Sequence, residues 1–518
     1  MTSPDLPAAA RTAADGYPLI AGFFPDPTIC RHRGLYVLAH SSFEYAPAIP
    51  IWVSKDLTTW THVTNALTRE PQLRLQPMRF WLDGSEMLPG SDGIPVGSAN
   101  TGTFAPTIRS HGDRLFLAVT NVSDFLDGPL IYTSESPEGP WSDPVQVPGL
   151  PGIDPDLYWD ESGIAHLTVS SYANGGPHVT SAPVNLETGE LLGEPKELWS
   201  GTGGQAPESP HLFMHEGWLY LLLAEGGTER GHAVTIARSR GIDGPWEANP
   251  DNPILTHRGL DRPVLNTGHA DLVQGPDGRF AMVYLGVRAR GFSGFHVNGR
   301  ETFLAEVEWR EGWPVVNESG YPLPEREHSF TDTFDGPALH PRWVSPGRLP
   351  ATFTSISAPG LEVRADGEAL AHYFLAMRPQ DEYWTVEMDA DVLGEAGITL
   401  RVDEIHSADV LLDETGAVTT VVRVGDLERR LTHTAENGAS LFIRVRPDGR
   451  PPLRRGPDVV ELGVMDGDNP RVLDTVDGRY LSVEVAGGWT GRVVGPRIVR
   501  GSANISAFRY QADPVGDA

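Results

Sequence analysis

Three acidic residues, each set among prolines or glycines, are the features of this chain whose type and spacing could do chemistry. In Gly22-Phe-Phe-Pro-Asp-Pro27, two prolines flank Asp26, fix the local backbone and limit where its carboxylate can point. In Gly152-Ile-Asp-Pro-Asp-Leu-Tyr-Trp-Asp160, Asp154 precedes a proline and an aromatic-bearing strand, and Asp156 and Asp160 compete with it for any role. Period-two alternation predicts that Asp154 and Asp156 share one face of that strand, with Leu157 and Trp159 on the other. In Ala206-Pro-Glu-Ser-Pro-His-Leu-Phe213, Glu208 stands just ahead of an apolar strand. Desolvation there raises a carboxyl pKa, as a general acid requires. Gly201-Thr-Gly-Gly204 supplies a tight approach to it. Taken singly, each motif also reads as a surface turn or a solvated loop carboxylate. Converging, they suit inverting glycoside hydrolysis. One carboxylate activates a water and another acid, about 6.5 to 9.5 Å away, protonates the leaving oxygen. The third holds the acid's pKa up by like-charge repulsion.

The elements that must position these groups are strands. Short apolar or alternating runs recur: Leu35-Tyr-Val-Leu-Ala-His40, Arg114-Leu-Phe-Leu-Ala-Val-Thr120, Ile164-Ala-His-Leu-Thr-Val169, Trp218-Leu-Tyr-Leu-Leu-Leu-Ala224, Phe280-Ala-Met-Val-Tyr-Leu285 and Thr302-Phe-Leu-Ala-Glu-Val307. Gly, Asp, Asn or Pro bounds each, which is a strand-and-turn pattern. A weak repeat pairs such runs with a turn and a tryptophan, at Trp60, Trp141, Trp199, Trp246 and Trp309/Trp313. Five units of this kind predict an all-β, five-bladed β-propeller, the alternative being an irregular sandwich. The polar, proline-bearing Tyr321–His328 reads as a linker. It divides a propeller over 1–325 from a β-sandwich over 326–518. In the sandwich, Trp384–Met388, Ile398–Arg401, Leu441–Val445 and Tyr480–Val485 alternate as strands.

Composition narrows the partners. With 40 Lys+Arg against 69 Asp+Glu the formal net charge is −29, which repels phosphate and argues against nucleic-acid or anionic-membrane surfaces. The 57 glycines and 45 prolines fit many turns. Cys30 is the one cysteine, so neither an intrachain disulfide nor a cysteine-based zinc cluster can form. No apolar run reaches about 18 residues, and Met1 to Tyr17 lacks a basic-then-apolar leader. A cytoplasmic protein is therefore the expectation.

The chain resembles glycoside hydrolase family 43 proteins of the β-xylosidase and α-L-arabinofuranosidase type. The likeness runs in order through Gly22–Pro27, Ser42–Tyr45, Ser54–Leu57, Ala105–Ile108, Ile153–Asp160 and Gly201–Phe213. It continues through Ala224–Thr228, Gly231–Ser239, Asn266–Val273 and Gly299–Leu304. Asp332–Pro337 and Pro341–Trp343 resemble the concanavalin-like jelly roll that follows such catalytic domains. The resemblance implies Asp26 as general base, Asp154 as the carboxylate that tunes the acid, and Glu208 as general acid. It implies Arg300 as a sugar-binding arginine and Phe43 as an aromatic wall. His269 is implied as a histidine near the axis that touches a structural Ca2+ or a water, with no cofactor needed for the chemistry. Phe104 stands where relatives commonly carry Trp, while Gln205, Ala206, Ser209 and Asp156 depart from the usual residues. The expected substrate is a small oligosaccharide, with xylose released from the non-reducing end of β-1,4-xylo-oligosaccharides. An α-L-arabinofuranosidase or an enzyme with both activities, a noncatalytic carbohydrate-binding protein and a glycoside phosphorylase using Arg288, Arg290 and Arg300 are the alternatives. The second domain is expected to pack on the propeller and lend a loop that closes the pocket. A homo-oligomer is left open.

Overall fold

The computed structural model describes residues 10–73, 98–172, 177–275, 277–357, 360–365, 367, 373–434, 440–467 and 469–513. Among them, five four-stranded antiparallel sheets follow one another in chain order as the blades of a β-propeller. Their inner strands are Thr28–His32, Thr103–His111, Ile153–Trp159, Glu208–His215 and Val264–Gln274. Each inner strand touches those of its two neighbours, and the fifth returns to the first, which closes the ring. The chain start locks this closure, since the backbone N–H groups of Leu19 and Ile20 donate to the Thr302 carbonyl of blade five.

Alternation positions the blades because both faces of each are buried. Val37 and Ile51 pack with Leu117 of blade two, while Leu38, next along the strand, packs with Val283 of blade five. Leu117 and Ala118 divide in the same way between blades one and three. Tyr220 and Leu221 divide between blades five and three. A slip of one residue would exchange the two faces, so register is firmly held. Burying each such side chain contributes about 1.5–3 kcal/mol. The repeated tryptophans mark the outer rim. Trp60, Trp141 and Trp246 stand ahead of outermost strands and Trp313 opens one, whereas Trp199 follows Lys196–Glu197.

The last blade strand ends at Asn317 and the first sandwich strand begins at Phe330. Two 20-residue strands, Trp384–Asp403 and Val493–Ala512, pair along their length and form the spine of an 11-stranded assembly. Trp384–Met388 and Ile398–Arg401, expected as separate strands, are two parts of one. The glycines between them mark close strand approach rather than a turn. A Cβ at Gly394 would lie 2.3 Å from the Arg500 carbonyl oxygen, and one at Gly397 1.9 Å from that of Val410. The expected strand Tyr480–Val485 is instead a pair of short helical turns, Gly478–Leu481 and Val483–Ala486. The Asp477 side chain caps the first by accepting from the Arg479 N–H, and Gly487 ends the second.

The sandwich is joined to the propeller by backbone and by charge. Ser345–Pro346 pairs as a strand with Tyr45–Ala46. Buried Arg401 donates to Glu44 at 2.6 Å. Gly22 and Gly299 permit close passage, since a Cβ on them would meet the Pro379 carbonyl oxygen at 2.6 Å and the Gly491 Cα at 2.9 Å.

Candidate active site

Four of the five inner strands slip register near their pocket ends, between Thr103 and Pro106, Ile153 and Asp156, Glu208 and His211, and twice between Leu265 and Asp271. These bulges re-aim side chains toward the axis. They coincide with left-handed backbone at non-glycine residues: φ is +52° at Asp154, +53° at Ser209 and +46° at His269. Asp26, on the loop before the first inner strand, has φ +56°, and Phe43 has φ +50°. Such conformations cost of order 1–3 kcal/mol each and persist where the surroundings over-determine them. The bulge also corrects the alternation expected for Asp154 and Asp156. Asp154 faces the pocket, whereas Asp156 turns beneath it to Arg109 at 2.7 Å and to the Leu212 N–H at 2.8 Å.

Asp26, Asp154, Glu208, Phe43, Phe104, Arg300 and His269 all line one cavity of about 230 Å³. Arg300 donates to Asp26 from Nη1 at 2.8 Å and from Nη2 at 3.4 Å, and the Ser41 hydroxyl also donates to Asp26. Glu301, the next residue, is fully buried and accepts from the Gly22 N–H at 2.7 Å. Blade five therefore holds both the Asp26 carboxylate and the loop that carries it. Across the cavity, Asp154 accepts the Ser209 N–H at 3.0 Å and so ties blade three to the residue after Glu208.

Burial first, then the charges of Asp154 and Asp26, push the Glu208 carboxyl well above the usual carboxylate range. Burial and Asp26 raise Asp154 to about 7, against the lowering effect of the Ser209 N–H. The cavity therefore favours a proton on the Asp154/Glu208 pair near neutral pH. The glycine run before Glu208 wraps a buried carboxylate: Glu225 accepts the N–H groups of Thr202 at 2.9 Å and Gly204 at 2.8 Å, and the Thr235 hydroxyl at 2.6 Å. A Cβ at Gly201 would lie 2.4 Å from that carboxyl carbon, so the loop needs glycine there.

Other members of the site come from places the motifs do not mark. Trp489, from the sandwich, lines the cavity and packs edge-on against Phe104, with ring centroids 5.3 Å apart. Its backbone carbonyl accepts from Arg300 at 3.3 Å and its N–H donates to Asn100 at 2.9 Å. The loop lent by the second domain is thus the Gly487-Gly-Trp489 turn, and the adjacent Gly-Gly pair is its only sequence signal. Tyr172 also lines the wall, as does Thr228 at the end of the Ala224–Thr228 stretch, which accepts from Arg300 at 3.1 Å.

Beneath the cavity the inner strands present a second charged layer. Arg109 donates to Asp156 at 2.7 Å, to Asp271 at 2.7 Å and to Thr28 at 3.3 Å, and its Nη2 lies 2.8 Å from His211 Nδ1. Burial alone would raise Asp271, but Arg109 and the Ile29 N–H bring it down to about 2. These residues do not fit the calcium site expected at His269. A hard cation takes six to eight oxygen ligands. The carboxylate at His269 is Asp26, 3.7 Å from Nδ1 and already engaged by Arg300 and Ser41. No three His, Cys, Asp or Glu side chains among the described residues gather as a metal-ligand group. The guanidinium of Arg109 supplies the positive charge on the axis.

The sequence profile of glycosyl hydrolases family 43 matches residues 16–314, and that of the beta xylosidase C-terminal concanavalin A-like domain matches residues 331–511. A xylosidase/arabinosidase of Butyrivibrio fibrisolvens is 38% identical over 366 residues, which cover 66% of each chain, just under two thirds of that relative's length. A non-reducing end alpha-L-arabinofuranosidase of Bacteroides ovatus is 30% identical over 504 residues, covering 92% of this chain and 90% of that one. The xylan beta-1,4-xylosidase of Bacillus halodurans superposes with a TM-score of 0.82 at 25% identity, over 95% of this chain and 99% of the other. A family 43 protein of Bacillus licheniformis, in a mutant form, gives 0.82 at 28% identity over 96% and 100%.

Proposed function

Because the chain belongs to glycosyl hydrolases family 43, with that family's concanavalin-like domain behind its propeller, we propose that this glycoside hydrolase removes single xylose units from the non-reducing ends of β-1,4-xylo-oligosaccharides, with inversion. The observation that carries the reading is the meeting of Asp26, Asp154 and Glu208 in one small cavity. Glu208, its proton held by burial and by neighbouring charge, gives that proton to the glycosidic oxygen as the C–O bond breaks. Asp26, oriented by Arg300 and Ser41, takes a proton from the water that attacks the anomeric carbon from the opposite face. Asp154 keeps the Glu208 loop in place through the Ser209 N–H and favours the protonated acid by its charge. No metal or other cofactor enters this scheme. The cavity is smaller than the ~300 Å³ lower end of ordinary ligand pockets and is walled by Trp489, which supports seating one terminal sugar ring rather than threading a chain.

A second reading, α-L-arabinofuranosidase activity at the same site, is favoured by the printed names of the Butyrivibrio and Bacteroides relatives. Rates on nitrophenyl β-xyloside and nitrophenyl α-arabinofuranoside separate the two. The phosphorylase alternative keeps one of its three cations in the cavity, Arg300, and that one is engaged by Asp26. Arg288 is bound to Glu301 at 2.7 Å and Arg290 to Asp458 at 3.1 Å, outside the cavity. A noncatalytic binding protein is disfavoured because all three carboxylates converge. The direct test is Glu208→Gln, expected to cut xylobiose turnover by about 10²–10⁴-fold. Near-normal turnover would remove Glu208 from the acid's role.

A further inference from the structure

We propose that His232 is a positioning residue for the acid, its imidazole Nε2 accepting a hydrogen bond from the protonated Glu208 carboxyl and offering nothing to the ionised one. This rests on the reading of Glu208 as general acid. His232 stands immediately before the Ala233–Ser239 strand of blade four, and its side chain is wholly buried. Its Nδ1 lies 3.0 Å from the Asn266 carbonyl oxygen. A carbonyl only accepts, so Nδ1 carries the ring's proton and Nε2 is left with a bare lone pair. That Nε2 is buried, has no hydrogen-bond partner among the described residues, and stands 3.8 Å from Glu208 Oε1.

The ring is held there by two features of blade five. Asn266 lies in left-handed backbone, φ +57°, within the stretch where the inner strand slips register. Gly268 leaves room for the ring, since a Cβ at that position would sit 2.3–2.5 Å from three imidazole atoms. Burial keeps the imidazole in its neutral form, lowering its pKa to about 4. The charged groups acting on the pair are Arg300 and Asp26, with Asp154 and Glu229 acting on Glu208.

The chemistry is one-sided. When Glu208 is protonated, its O–H can point at Nε2, and a shift of a few tenths of an ångström on substrate binding makes the hydrogen bond, as catalytic contacts often tighten in the complex. When Glu208 is ionised, two lone pairs face each other. His232 therefore favours the form that can donate, beyond what burial and Asp154 achieve. The contact is lost when the proton passes to the glycosidic oxygen and is restored when Glu208 takes a proton from solvent.

The test compares wild type and His232→Phe, in the full chain, on phenyl and dinitrophenyl glycosides of the preferred pentose. The dinitrophenolate leaves without protonation. The variant should lose about 10- to 100-fold in kcat/KM on the phenyl glycoside but stay within about threefold on the dinitrophenyl one, with its alkaline limb lower by about one pH unit. Equal losses on both substrates, or an unmoved limb, would overturn the proposal. Glu208→Ala on the same pair keeps the two readings apart. If it shows no leaving-group dependence, the acid's assignment fails. If it does and His232→Phe does not, only the His232 proposal fails. Should the variant not fold, nitrogen-15 histidine spectra of the wild type decide. An Nδ1–H, Nε2-bare signal constant from about pH 5 to about pH 8 is expected, and an Nε2–H or doubly protonated ring overturns the proposal.

Discussion

Two layers of polar residues come from the inner strands and the loop that leads into the first of them, and meet opposite electrostatic fates. The upper layer has Asp26, Asp154, Glu208 and His269 around the cavity. The lower has Thr28, Arg109, Asp156, His211 and Asp271 packed on the axis. Desolvation pushes the carboxyls of both layers upward, so it cannot by itself explain why Glu208 is raised and Asp271 falls to about 2. The difference is the partner. Below, one guanidinium bonds both carboxylates. Above, Arg300 bonds Asp26 and leaves Asp154 and Glu208 to repel each other. Two residues along a strand, separated by a bulge, convert a structural ion cluster into a site that stores a proton.

The largest effect should come from breaking the lower layer. Arg109→Met leaves Asp156 and Asp271 buried without their cation and should cost about 3–5 kcal/mol of stability, read from denaturant or thermal unfolding near neutral pH. The sign follows from Asp271, whose folded pKa of about 2 lies below the unfolded value near 3.9. Its contribution is present above about pH 4 and is lost as pH falls toward 2, so the gap between variant and wild type should narrow over that window. A gap that does not change with pH would break the contrast between layers.

Asp154→Asn sharpens the contrast from above. Removing its charge removes a cause of the raised Glu208 pKa, so the alkaline limb of kcat/KM should move down by about one pH unit. The limb belongs to the coupled pair, and movement upward would reverse the assigned roles. The smallest effect expected is on metal removal. With Arg109 supplying the axial charge, EDTA should leave both activity and melting temperature unchanged, and loss of either that added calcium restores would contradict the unmetallated axis.

Much of this was legible in the sequence because residue type and proline or glycine context carry it. Asp26, Asp154 and Glu208 stand in such runs, and the alternating strands with rim tryptophans imply blades. The split between Asp154 and Asp156 was not legible. A bulge adds one residue to a strand without leaving a mark on alternation, and only the paired strand reveals it. Arg109 stands in none of the motifs read from the sequence and meets Thr28, Asp156, His211 and Asp271 only when the four other inner strands surround it. Trp489 lies nearly two hundred residues beyond Arg300 and reaches the cavity only because the domains pack. The turn that carries it follows Tyr480–Val485, whose alternation reads as a strand but whose ends are capped as helical turns.

The central claim is that three carboxylates from three blades perform a single inverting displacement. A proton NMR time course of xylobiose hydrolysis tests it most directly. The account predicts α-xylose as the first product, converting later to the equilibrium mixture. β-Xylose appearing first would contradict it.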